Sequence, residues 1–170
     1  VPKTTAKKLI SMGVIDDVTL TYTKNSAVFK SAEYTIYTRL IEGKYFAYQK
    51  MFTEGEINTC ASRTALIGAM TRAKMCTEEK QPAVFQIEDD VLNISIRDKL
   101  ADYQEQVPLQ ETVCKSIRLG FDSRLVLETL KAFTCDNIAL GFTSPRTPMI
   151  VEAGDSDMKA MVLPVAIREA

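Results

Sequence analysis

The side chains that could do chemistry in this chain are carboxylates, thiols and hydroxyls, because the sequence contains no histidine. A Ser-His-Asp or Cys-His arrangement is therefore excluded, and so is a histidine-ligated metal. Carboxylates cluster at Asp16-Asp17, Glu78-Glu79, Glu88-Asp89-Asp90 and Asp155-Ser156-Asp157. Each cluster falls where a strand or helix pattern stops, so solvated turns are the reading to prefer over acid/base pairs or a metal site. Cys60, Cys76, Cys114 and Cys135 are far apart with no C-x-x-C pair, which suggests neither a zinc site nor a disulfide framework. They read as reduced core thiols. The 7 glycines are scattered, and no loop resembles a P-loop or a dinucleotide fingerprint. An enzyme built here would need a carboxylate metal site that the turn clusters do not supply.

At 170 residues, 46% hydrophobic and 25% charged, the chain has the make-up of a soluble globular protein of one large domain, or of one domain plus a piece. No apolar run approaches the roughly 20 residues needed to cross a bilayer, and the opening VPKTTAKKLI lacks the apolar region of a signal peptide. A cytoplasmic location is the expectation. Pro2 suits a helix start, and the spacing predicts a short basic amphipathic helix from Thr4 to Met12. Ala6, Leu9 and Ile10 fall on one side of it, and Lys3, Lys7, Lys8 and Ser11 on the other. VTLTYTK, the return AVFKS after an Asn25-Ser26 turn, and the alternating segment from Tyr34 to Ile41 read as three strands. In the last, Tyr34, Ile36, Thr38 and Leu40 alternate with Thr35, Tyr37, Arg39 and Ile41, which suits a sheet covered on both sides. Gly43 breaks the pattern. Tyr45, Phe46, Tyr48, Met51 and Phe52 follow, and this dense aromatic stretch reads as a connector packed between two domains.

Beyond the connector, EINTCA predicts a strand and residues 62–75 a helix capped by Ser62, with Ala65, Leu66, Ala69, Met70 and Ala73 on its apolar side. AVFQIE, then VLNISIR across an Asp-Asp turn, then ADYQEQVPLQ give three strands. KSIRLGF opens a second unit of the same kind. Its helix over 123–134 has Val126, Leu127, Leu130 and Phe133 as its core side, and NIALGFT, TPMIVE and MKAMVLPV supply its strands. An internal repeat of strand, helix and three strands is therefore expected, with units 53–110 and 111–170 pairing into one domain and residues 1–52 forming half of another. Such a lone half would leave an apolar helix face and a sheet edge exposed.

Charge is sorted by element. The segments 3–12, 62–75 and 123–134 hold eight of the 21 Lys and Arg residues but, of the 22 Asp and Glu, only Glu128. A basic helical layer backed by acidic strands and turns suits loose contact with phosphates.

Four segments carry a resemblance to a known family: TRLIEGKYFAYQKMF, RAKMCTEEKQPAVFQI, IRLGFDSRLVLETLKAF and SDMKAMVLPV. In this order they resemble the bacterial DNA polymerase III β sliding clamp, from the second half of its middle domain through its C-terminal domain. The resemblance implies an α+β clamp fold of repeated strand-helix-three-strand units, with the helices on one face of antiparallel sheets. It divides the chain into residues 1–52, the half-domain plus connector, and 53–170, the C-terminal domain. It further implies a non-catalytic processivity factor without a cofactor, a head-to-tail dimeric ring of three-domain subunits that encircles duplex DNA without reading sequence.

By the same resemblance, Lys3, Lys7, Lys8, Arg72, Arg124 and Lys131 face DNA, and Met75 and Cys76 match positions at the dimer contact. The family's peptide-binding pocket, used by polymerase, clamp loader and other partners, lies between its middle and C-terminal domains. Its matching positions are Phe46, Met51, Met161, Leu163, Pro164 and Val165. Phe46 stands where the family usually has proline, Ala166 where arginine often sits, and Arg168-Glu169-Ala170 extend past the usual end. The expected identity is a piece of a longer clamp. The alternative is a naturally short clamp-like protein that binds peptide partners without encircling DNA.

Overall fold

The computed structural model describes residues 1–13, 17–45, 47–76, 81–97, 102–154 and 157–167. Contacts divide the chain into two units, Val1–Ala47 and Tyr48–Ala170.

In the first unit, Pro2 has extended backbone and its carbonyl accepts from Ala6 N at 3.1 Å, opening helix α1 (Lys3–Ser11). Three strands follow, β1 (Thr19–Tyr22), β2 (Ser26–Lys30) and β3 (Thr35–Arg39), in an antiparallel sheet of that order. The β1–β2 turn is held by Thr23, whose hydroxyl accepts from Ser26 N at 3.1 Å. Ala27 and Thr38 pair across β2 and β3 and are buried, and the Thr38 hydroxyl shares a 2.8 Å hydrogen bond with Thr5 of α1. The opposite face is bare. Thr35, Tyr37 and Arg39 are exposed, Tyr37 at 65%, so the sheet is covered on one side and not on both as its alternation suggested. The reason is supply: one nine-residue helix can cover one face of three short strands, and α1 itself buries no residue.

The aromatic connector also departs from expectation. Tyr45 is 80% exposed, and Tyr48 and Met51, within a short 3-10 helix (Tyr48–Met51), are exposed too. Aromatic density here brings ring contact, with Tyr48 and Phe52 edge to face at 6.4 Å, but little burial. Phe46 lies outside the described residues.

The second unit contains β4 (Ile57–Ser62), α2 (Arg63–Met75), β5 (Ala83–Arg97), β6 (Asp102–Phe121), α3 (Ser123–Ala132), β7 (Asn137–Phe142), β8 (Met149–Glu152) and β9 (Lys159–Val162). The six strands form one antiparallel sheet in the order β5-β6-β4-β7-β8-β9. Each helix starts on a side-chain cap. Ser62 Oγ accepts from Ala65 N at 3.4 Å, and Asp122 Oδ1 accepts from Arg124 N at 2.9 Å. Leu66, Ala69, Met70 and Ala73 of α2 and Val126, Leu127 and Leu130 of α3 enter one core with Phe85, Phe121 and Phe142 of the strands. The two helices touch each other and share that core, so they lie on the same side of the sheet.

Two sequence-based boundaries are corrected. Glu88-Asp89-Asp90 is not a turn: β5 runs through it, with Asp89 at φ 52° and register shifts on either side. The expected break near 110 is absent because β6 runs unbroken from Asp102 to Phe121. Both stretches are bulged strand. An acidic run on a solvent-exposed bulge satisfies the same physical demand as a turn, since the extra residue leaves the ladder and meets water. The two repeats are consequently joined through β6 and are not separable at 110. Its first half pairs with β5 residues 91–97 and touches β4 at Leu109, and its second half pairs with β5 residues 83–87.

Candidate functional site

The C-terminal segment is placed by its sequence alternation and by one glycine. In β9, Val162 points into the core, while Met161 pairs with Ile150 on the other face of β8, opposite the small Gly141 of β7. Ile150 is buried without belonging to the helix-side core, so the outer face of β8 and β9 carries its own small apolar patch. Past β9 the chain turns along β6, where Val165 N donates to the Gly120 carbonyl at 2.8 Å. A Cβ at position 120 would stand 2.8 Å from the Val165 carbonyl oxygen and 3.0 Å from an Ile167 carbon. Only glycine admits the segment this close. Leu163 and Val165 are thereby held out at 60% and 42% exposure, which costs hydrophobic free energy in the isolated chain and marks a surface able to recover it on binding.

A cleft of about 410 Å³ opens beside this segment, lined by Arg118 and Leu119 of β6, Pro145 and Arg146 of the β7–β8 loop, and Pro164, Val165, Ala166 and Ile167. The loop is fixed by its own turn chemistry. Thr147 Oγ1 accepts from Ser144 N at 2.9 Å and Thr147 N donates to the Ser144 carbonyl at 3.2 Å, with Pro145 at the position a β-turn favours. Of the residues expected to form a pocket, Pro164 and Val165 line this cleft, Met161 and Leu163 adjoin it in sequence, and Met51 sits in the 3-10 helix.

The helix cations separate into two groups. Arg72 Nε donates to Glu105 Oε2 at 2.8 Å and its guanidinium forms a second bond to the same carboxylate. Gly68, one turn earlier, leaves room for it: a Cβ there would come within 3.2 Å of the guanidinium. The Tyr103 hydroxyl lies within donating distance of Glu105 and of the Ala69 carbonyl, at 2.9 Å from the latter. Hydrogen bonds from Arg72 and then Tyr103 hold the Glu105 carboxyl below its usual range, while burial and then the Glu105 hydrogen bond push the Tyr103 phenol up. Arg124 likewise bonds its own cap, with Nη2 3.1 Å from Asp122 Oδ2, and depresses that carboxyl. These two cations are therefore already compensated by neighbouring carboxylates. Lys3, Lys7, Lys8 and Lys131 are exposed and have no ion-pair partner among the described residues.

Met75 ends α2 at 82% exposure, and Cys76, a free thiol, caps it. Sequence reasoning missed Ile150, Gly120, Arg118 and Arg146. The first two could be found only from strand register, and the arginines only once the loop after β7 and the end of the chain are brought to one place. Of the acidic clusters, Glu88, Asp89 and Asp90 are exposed on the bulge, Asp157 is exposed, and the rest lie partly or wholly outside the described residues, with Asp17 at the margin of one such gap.

Comparison with known proteins gives a consistent family. Residues 52–166 match the family model described as DNA polymerase III beta subunit, C-terminal domain. A beta sliding clamp of Staphylococcus aureus is 24% identical over 155 residues, covering 88% of this chain and 41% of the relative. That of Halalkalibacterium halodurans is 25% identical over 140 residues, covering 79% and 37%. Among solved structures, the DNA polymerase III subunit beta of Pseudomonas aeruginosa superposes with a TM-score of 0.90 at 20% identity, covering 98% of this chain and 47% of that one. The chain thus spans less than half the length of the relatives it matches, and no helix among the described residues is long and apolar enough to cross a membrane.

Proposed function

The chain belongs to the DNA polymerase III beta subunit family, and from that membership we propose that it supplies the C-terminal part of a cytoplasmic, non-catalytic sliding clamp. In this reading, residues 1–52 complete a middle domain, residues 53–170 form the C-terminal domain, and the whole ring encircles duplex DNA and docks partner peptides of the replicative polymerase and its clamp loader. The single observation that carries the docking role is the C-terminal segment, whose apolar side chains are held open by the Gly120 contact beside a formed cleft. Met161, Leu163, Pro164 and Val165 act as its anchors, and Phe46 and Met51 are the further positions that the family likeness assigns to docking. Exposed Met75, with Cys76, fits a contact to another subunit of the ring.

A closed ring holds DNA by topology, so the contacts can be few and weak. Lys3, Lys7, Lys8 and Lys131 have free charge to give to phosphates, whereas Arg72 and Arg124 must first leave their carboxylates. Anisotropy with a labelled peptide rich in leucine and phenylalanine tests the docking role. Binding that is abolished by Leu163→Asp and Val165→Asp is the expected result. A parent chain that does not bind, or variants that bind equally well, would remove the docking role.

A further inference from the structure

The three-stranded sheet of the first unit has two unlike faces. Strand register puts Ala27, Phe29, Ile36 and Thr38 on the side of α1, where the Thr38 and Thr5 hydroxyls share a hydrogen bond. The other face presents Thr21 of β1, Val28 and Lys30 of β2, and Thr35, Tyr37 and Arg39 of β3. Tyr37 stands in its middle row, opposite Val28, and is 65% exposed. Lys30, in the row of Thr35, and Arg39 are exposed in the rows on either side of that ring. No Asp or Glu occurs in any of the three strands, and neither cation has an ion-pair partner among the described residues. The surrounding charge has the same sign. Of the 21 Lys and Arg residues seven lie in residues 1–47, against only four of the 22 Asp and Glu, so this unit is basic and the rest of the chain acidic. An open aromatic ring between two unpaired cations offers stacking and phosphate contacts on one surface.

We infer that this bare face binds single-stranded nucleic acid, with Tyr37 stacking a base and Lys30 and Arg39 meeting the phosphates to either side of it. Charge complementarity selects a polyanion, and the open ring selects one whose bases are free. Duplex bases are stacked on one another and cannot reach Tyr37, while an acidic peptide would use the cations and gain nothing from the ring. Every base has a face to stack, so the site does not read sequence. It is separate from the duplex contacts proposed for α1, because that helix covers the opposite face of the sheet.

The test uses the full 170-residue chain and three labelled probes: a thymidine dodecamer, an abasic dodecamer with the same phosphates but no bases, and a duplex. At low salt the thymidine strand is expected to bind roughly tenfold tighter than the abasic one, the size appropriate to one stacked base. Tyr37→Ala should bring that ratio to one, with the melting temperature and the duplex affinity unchanged. Tyr37→Phe, which keeps the ring, should keep the ratio. Lys30→Gln and Arg39→Gln should weaken both single strands together, and Lys7→Gln, on the α1 side, should leave the ratio as it is. Equal affinity of the parent chain for the thymidine and abasic strands would overturn the inference while leaving the duplex contacts and the docking role intact. A ratio that survives Tyr37→Ala, or a loss in that variant that the duplex shares, would also overturn it. A glutamate peptide that displaces the thymidine strand at equal concentration would assign the face to acidic protein segments and overturn it as well.

Discussion

Residues 1–47 and 48–170 are built from the same parts, a basic amphipathic helix and antiparallel strands, yet they stand very differently toward water. In the second unit, α3 places Val126, Leu127 and Leu130 in a core shared with α2 and the strands. In the first, α1 has an equally clear pattern but leaves Ile10 79% exposed and buries none of its residues. The difference is partnership. α2 and α3 cover a sheet together, and each apolar side chain fully buried there contributes about 1.5–3 kcal/mol against the entropy of ordering the chain. With one helix over three short strands, the first unit has half of such an arrangement, and Leu20 and Tyr22 of β1 remain open.

The largest effect should come from the cores. Phe142→Ala in the second unit is expected to cost about 3–5 kcal/mol, and Phe29→Ala on the first unit's half-covered sheet about 1 kcal/mol. Urea unfolding of both variants checks this, and equal losses would break the comparison. Next in size is Gly120→Ala, whose Cβ meets the Val165 carbonyl oxygen. Displacing the 163–167 segment should cost about 1–3 kcal/mol and weaken peptide docking, as read by thermal melts and anisotropy.

The contrast between free and paired cations sharpens the same division. If about four cations reach phosphates, raising salt from about 50 to about 200 mM should cut duplex affinity roughly a hundredfold. Lys7→Glu should weaken binding at every sequence and flatten that slope, with little change in melting temperature. Arg72→Glu should do the reverse, because it breaks the bond to Glu105 and sets two carboxylates together. Titrations paired with melts separate the two outcomes, and identical behaviour of the two variants would place Arg72 back among the DNA contacts.

The smallest expected effect is on pH dependence. Glu105 and Asp122 have folded-state carboxyls held below their ordinary values, so their contribution is complete above the unfolded values near about 4.3 and 3.9 and is lost as pH falls through the lower folded ones. Melting temperature should therefore decline more steeply below about pH 4 in the parent than in a Glu105→Gln, Asp122→Asn variant, and parallel curves would deny these pairs a role.

Much of the second unit was legible because its periodicities report burial directly. The helix start at Ser62 and the core sides of α2 and α3 follow from capping and spacing. The bulge at Glu88-Asp89-Asp90 was not legible, since polar residues that leave a ladder look like polar residues that end one. Exposure of Tyr37 and Tyr45 was hidden for another reason: alternation states which residues share a face but not whether anything covers it. Positions near the chain end were singled out by family likeness alone, whereas Arg118, Arg146 and Gly120 depend on long-range strand placement that local spacing does not encode.

Hydrogen exchange of the full chain with and without the peptide rich in leucine and phenylalanine tests the docking account most directly. Added protection is expected at residues 118–120, 144–147 and 161–167, with exchange in α1 and β1–β3 unchanged and faster than in β4, β6 and β7. Peptide-induced protection confined to residues 1–40, or none at 161–167, would contradict it.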